Sequence, residues 1–132
     1  MVTGKDASLA RTSPILIALT ESERGSTGEI RVHLSRRWLE RDAFARAAKL
    51  FREFGMVKTA KRNGVLIYVN LRRHKFAIVG DAGITEVVGN RYWEKLGREL
   101  AVDLRSTHHE NAVAMTVRRV GDALRKHFPA SD

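Results

Sequence analysis

The stretch "GVLIYVN", Gly64 to Asn70, is apolar at nearly every position and rich in β-branched residues. A strand with one wet face alternates apolar and polar side chains; a run like this one is covered on both faces and therefore central in its sheet. Only "LRRH" separates it from "KFAIVG", Lys75 to Gly80, so the two strands form an antiparallel hairpin. Earlier in the chain, "EIRVHLS" alternates Ile30, Val32 and Leu34 with Arg31, His33 and Ser35, the pattern of a half-buried strand. Between these strands, from Asp42, the period changes to Phe44, Ala47, Ala48, Phe51 and Phe54, a helix that Gly55 closes. A helical crossover of this length makes the first two strands parallel.

The flanks are helical. Ser13 before Pro14 marks a helix start with an apolar stripe of Ile15, Leu16 and Leu19, ending at Gly25. After Gly83 two helices are predicted, one carrying Trp93, Leu96 and Leu100, the other Val113, Val117, Val120, Leu124 and Phe128. Thr107 and Glu110 are placed as a capping box for the second. This order predicts a three-layer α/β/α sandwich around a small mixed sheet. It occupies residues 13–129 as a single domain, between loose segments at 1–12 and 130–132.

Several functions are excluded. Without cysteine there is no disulfide, thiolate nucleophile or Cys-ligated metal. The chain has no P-loop, G-x-S-x-G, HExxH or D-x-D motif. The longest apolar run, Gly64 to Val69, is far short of the roughly 20 residues of a membrane-spanning helix. The first residues also lack the apolar middle of a secretory signal. The expectation is a soluble, cytoplasmic chain that meets a membrane only from its surface.

Charge is more informative. The net charge is +9, and residues 31–75 hold 13 Lys or Arg against Glu40, Asp42 and Glu53, so the whole excess lies in one third of the chain. At the end of the first strand stand Arg36, Arg37 and Arg41; the hairpin turn adds Arg72, Arg73 and Lys75. Strand polarity places both groups on one edge of the sheet as a basic rim. Such a rim attracts anionic lipid headgroups or phosphate polymers, nucleic acid included, through weak, salt-sensitive contacts; it is equally what a solvated, solubilising face looks like.

The opposite edge collects Glu29, Asn63 and Asp81, with Lys58, Lys61 and Arg62 from the loop before the central strand. Two readings stand for Asp81 between Gly80 and Gly83. It caps a tight turn, or it joins Asn63 and Glu29 as oxygen ligands of a divalent cation, with Lys58, Lys61 and Arg62 as an anion site beside it. His108 and His109 are adjacent, point apart on a helix and make poor co-ligands. His33 is expected on the strand surface, Tyr68 and Phe76 in the core, and Trp38 and Trp93 as core or rim anchors.

The blocks "TGEIRVHL", "FREFGMVKTAKRNGVLIYV", "HKFAIVGDAGI" and "DALRKHFP" together resemble the TPM domain family. That family takes its name from a thylakoid lumen protein, a photosystem II repair protein and an acetylcholine-receptor modulator. The likeness spans about Pro14 to Pro129 and is greatest to the short bacterial branch. It implies the same α/β/α sandwich, a Ca²⁺ or Mg²⁺ site, an acid phosphatase activity known in a plant member with Asp81 as the candidate catalytic group, and a LemA-type membrane protein as partner. The family's acidic residue after the third strand matches Asp81, and its Asn-Gly matches Asn63 and Gly64. Many relatives have an aspartate where this chain has Arg62, and a glycine and aromatic where it reads "STHHENA".

Overall fold

The computed structural model describes residues 1–4 and 9–131. Residues 5–8 of the segment expected to be loose, and 132 of the tail, lie outside the described residues. Among the described residues the sheet has four strands in spatial order β1 (Val2–Thr3), β2 (Glu29–Ser35), β3 (Gly64–Asn70), β4 (Lys75–Gly80). β1 and β3 run parallel to β2, and β4 returns antiparallel to β3, so the sheet is mixed.

β3 is buried at all seven positions, and its alternation divides two cores. Val65, Ile67 and Val69 face the larger one with Ile30, Val32 and Leu34 of β2. There they meet α1 (Pro14–Ser22), α4 (Asn90–Ser106) and α5 (His109–His127) through Ile15, Leu19, Leu96, Leu100, Val117 and Leu124. Leu66 and Tyr68 face the smaller core, closed by Ala47, Leu50 and Phe51 of α2 (Ala43–Glu53) and by Met56. Three layers follow from this two-sided burial, and no helix among the described residues is long and apolar enough to cross a membrane.

Both ends of the described residues make hydrogen-bonded contacts, and four expectations, on Phe44, the helices after β4, the capping box and His33, are corrected. Val2 and Thr3, within the stretch expected to be loose, pair with Val32 and His33. At the other terminus, the Ala130 amide donates to the Gly25 carbonyl at 3.0 Å. Phe44, placed on the apolar face of α2, is 58% exposed, because the buried face runs through Ala47, Leu50 and Phe51 instead. Three helices follow β4 rather than two: α3 (Ala82–Val88) starts directly after Asp81 and Gly83 lies inside it. The capping box does not form. His108 occupies the cap of α5, and Glu110 instead accepts a hydrogen bond from the Ser13 hydroxyl, tying the starts of α1 and α5.

His33 is half-buried rather than a surface residue. It stacks on Tyr68 with ring centroids 5.7 Å apart and shares a 2.8 Å hydrogen bond with Thr3 Oγ1. Burial, then the nearby Arg46 and Arg31, hold its imidazole below the usual histidine range.

Candidate functional site

The strand register brings the expected groups to two opposite ends of the sheet. Glu29 pairs with Gly64 and Val65 with Gly80, so Glu29, Asn63 and Asp81 share one end. Ser35, Asn70 and Lys75 align at the other, where the basic residues gather.

At the first end Asp81 is only 7% exposed and caps α3, accepting from the Ala82 amide at 2.7 Å. Its carboxylate also takes a two-pronged grip from Arg62, Nε to Oδ2 at 2.7 Å and Nη2 to Oδ1 at 2.8 Å. This fork is the geometry in which arginine binds carboxylates best, and the carboxylate pushes the guanidinium up from an already high value. Arg62 reaches it from a left-handed backbone conformation, φ +51°, held by its carbonyl accepting from the Gly83 and Ile84 amides at 2.8 and 3.2 Å.

The flanking glycines are required for space, not for a turn: neither Gly80 nor Gly83 has positive φ. A Cβ on Gly83 would lie 2.0 Å from the Lys61 carbonyl oxygen, and one on Gly80 would lie 2.1 Å from the Trp93 ring. Trp93, half-buried, is held over that position by its indole N–H donating to Thr85 Oγ1 at 3.0 Å.

This arrangement bears on the implied Ca²⁺ or Mg²⁺. Hard cations need several oxygen donors, usually anionic. Both Asp81 oxygens already accept charged donors, and Arg62 supplies the positive charge that an ion would bring. The Glu29 carboxylate lies 3.7 Å from the Arg31 guanidinium. Asn63 donates to Thr27 Oγ1 at 3.1 Å, and its Oδ1 is buried without a partner among the described residues. One neutral oxygen beside a neutralised carboxylate does not fit a divalent cation. Lys58 and Lys61 are exposed nearby, and Arg62 is committed to Asp81.

The rim is organised differently. Arg36, Arg37, Arg41, Arg72, Arg73 and Lys75 are all exposed, while beneath them Glu40 is buried. The Tyr68 hydroxyl donates to Glu40, Asn70 Nδ2 donates to Glu40 Oε1 at 3.3 Å and to the Arg37 carbonyl at 3.1 Å, and Lys75 donates to the Glu40 carbonyl. Burial foremost, then the hydrogen bond to Glu40, raises the Tyr68 hydroxyl above the usual tyrosine range. Asn70 Oδ1 accepts the Arg72 and Arg73 amides, each at 3.0 Å, which fixes the hairpin turn. Glu40 was read from sequence only as one acid among many bases; its role depends on Tyr68 and Asn70, distant in the chain.

Above this buried frame Trp38 and Leu39 stand out of the protein, 72% and 74% exposed. The Arg72 guanidinium lies over the Trp38 ring, 3.8 Å from its centroid. Trp38 is thus a rim group and not a core anchor. The histidines at the start of α5 are closer than their spacing suggested: ligand atoms of His108, His109 and Glu110 lie within 4.8 Å of one another. The positive end of a helix and the neighbouring Arg36 nevertheless oppose a cation there.

The comparisons agree with this architecture. The family model of the TPM domain matches residues 9–123. The BA42 protein of the psychrophilic bacterium Bizionia argentinensis, solved by NMR, is 32% identical, with a TM-score of 0.83 over 96% of this chain and 88% of that one. The N-terminal domain of a P. gingivalis protein is 17% identical with a TM-score of 0.76, covering 99% of this chain and 87% of that one. The N-terminal domain of the cg2496 protein of Corynebacterium glutamicum is 11% identical with a TM-score of 0.72, covering 98% and 83%. At these lower identities the likeness is one of fold. No curated protein matches the chain. The match over nearly the whole domain, with the two-core sheet that supports it, makes this chain a member of the TPM domain family.

Proposed function

We propose that this TPM domain is a binding module that docks by its basic rim on an anionic membrane surface. The observation that carries the reading is the exposed pair Trp38 and Leu39 set among Arg36, Arg37, Arg41, Arg72 and Arg73. Each basic residue near an anionic leaflet contributes on the order of 1 kcal/mol. A leucine-sized side chain leaving water adds about 1.5–3 kcal/mol, and tryptophan favours the headgroup layer. Neither contribution alone holds a small domain firmly; the two together do. A LemA-type membrane protein, the partner class implied by the family resemblance, would bring the same rim to the bilayer. At the Asp81 end the carboxylates of Asp81 and Glu29 are paired with Arg62 and Arg31, which weighs against metal-dependent phosphatase chemistry there.

The test is sedimentation with vesicles containing phosphatidylserine or phosphatidylglycerol, against neutral vesicles. Retention is expected on anionic vesicles at low salt only, with a blue shift of Trp38 fluorescence that Trp38→Phe removes. Replacing Trp38 and Leu39 by alanine should weaken binding about tenfold or more. Failure of anionic vesicles to retain the protein at low salt would end the membrane reading. Salt-steep binding to duplex DNA, indifferent to those two alanines, would point to nucleic acid instead.

A further inference from the structure

A second feature lies on the other side of Arg36, between the hairpin end of the sheet and the helices α4 and α5. It is a cavity of about 530 Å³, within the range of small-molecule sites. Its apolar wall is made by Val69, Leu71, Phe76, Ala101 and Leu104. Leu71, Phe76 and Leu104 are partly buried and continue the larger core, so the wall is a fixed part of the fold. Its polar lining consists of Arg36, His74, Lys75, Arg105 and His109, with Asn70; among the described residues no carboxylate lines it.

A cavity with a hydrocarbon wall and a wholly basic mouth selects by both properties. A neutral apolar molecule would leave Arg105 without an anion, and an inorganic anion would leave the apolar wall against water. Arg105 has no carboxylate partner among the described residues. The nearest acid of its helix segment, Asp103, is engaged by Arg119 at 2.9 Å. The cationic charge at the mouth is therefore not cancelled from within α4.

We infer that this cavity binds an organic anion with an apolar body: a carboxylate or phosphate monoester on a hydrocarbon tail, the anionic head at Arg105, beside Lys75 and His109, and the tail against Phe76, Ala101 and Leu104. The inference is independent of membrane docking, because the ligand enters as a single dissolved molecule and the exposed Trp38 and Leu39 take no part.

The test is a ¹⁵N-resolved NMR titration with decyl phosphate or decanoate below the concentration at which either forms micelles, beside decanol and inorganic phosphate. Saturable shifts are expected at the amides of Phe76, Ala101 and Leu104 with the two amphiphiles, and affinity about tenfold or more weaker for decanol and for phosphate. Arg105→Glu, at an exposed helix position, should abolish binding of the anionic amphiphiles with the spectrum otherwise retained. Ala101→Trp should fill the cavity with the same result. Equal binding of inorganic phosphate would reduce the site to surface charge, equal binding of decanol would remove the anion from it, and unsaturable shifts would overturn it. Retention on vesicles is unaffected by any of these outcomes, so the two proposals fail separately. If the same shifts appear only with intact anionic vesicles, the source is a bilayer lipid and the dissolved-ligand inference is overturned.

Discussion

The two ends of the sheet carry nearly the same kinds of residue and use them in opposite ways. At the Asp81 end the charges face inward and answer one another: Arg62 grips Asp81, Asp81 caps α3, and the Arg62 carbonyl receives the Gly83 and Ile84 amides of α3. At the rim the buried acid Glu40 is consumed by Tyr68 and Asn70, so that Arg37, Arg41, Arg72 and Arg73 stand exposed over a neutralised frame with Trp38 and Leu39 between them. A polar cluster that closes on itself stabilises the fold, whereas one whose acid is buried and whose bases are not leaves its interaction for a partner. Residue type does not distinguish these cases; the pairing does.

The contrast breaks first where backbone space is at stake. Gly83→Val at the closed end would drive a side chain into the Lys61 carbonyl and should cost about 3 kcal/mol or more. Leu39→Ser at the rim should change stability by less than about 0.5 kcal/mol. Urea denaturation of the two variants reads the difference directly, and similar values would abolish the distinction between a built end and an open one. Next in size is Glu40→Leu, which takes the Glu40 acceptor from the Tyr68 hydroxyl, leaves the Asn70 amide only the Arg37 carbonyl, and should cost about 2 kcal/mol. Glu40→Gln, keeping an acceptor oxygen, should cost less.

Asp81→Ala removes the cap of α3 and should cost about 1 kcal/mol. Asp81→Asn retains a capping oxygen and loses chiefly the ion pair with half-exposed Arg62, so it should be the milder change. An equal loss from both would move the weight from the cap to the pair. Stability should also fall with acid. His33 sits below its ordinary value of 6.5 in the folded protein, so the unfolded chain takes up its proton first as pH drops. The histidine's contribution is complete above about pH 6.5 and is lost progressively below it. Thermal unfolding followed from pH 8 to 5 should show a slope that His33→Phe flattens. The smallest effect expected is at Arg62→Ala: freeing Asp81 should let Ca²⁺ shift the amides of Asn63 and Asp81 weakly, where the unsubstituted protein shows no change.

Where the chain's pattern is local, it was legible. The bounds of β2, β3 and β4 follow from alternation and from the unbroken apolar run, and Ser13 caps the helix it precedes. The convergence of Glu29, Asn63 and Asp81 on one end, and of the bases on the other, follows from strand direction alone. Less was legible where two locally acceptable partners compete. Glu110 fits a capping box by spacing, yet the start of α1 brings Ser13 within reach of its carboxylate. Phe44 fits a helical stripe, yet α2 is rotated to place Ala47 and Phe51 against β3.

The amino-acid sequence by itself determined the three layers, because an all-apolar strand must be covered on both faces and the helical periods supply the cover. It determined the charge division, because the excess lies between residues 31 and 75, and strand polarity sends its strand-end and hairpin arginines to one edge. Only the tertiary structure decided what each end does with its charge. Arg62 precedes Asp81 by nineteen positions, and their fork requires a left-handed residue and a glycine-sized gap, neither of which has a local signature. Trp38 fits a core or a rim anchor by sequence until the frame of Glu40, Tyr68 and Asn70 holds the loop below it and leaves it and Leu39 in water. Periodicity records which face of an element is buried; pairings made across the chain decide which polar groups remain for a partner.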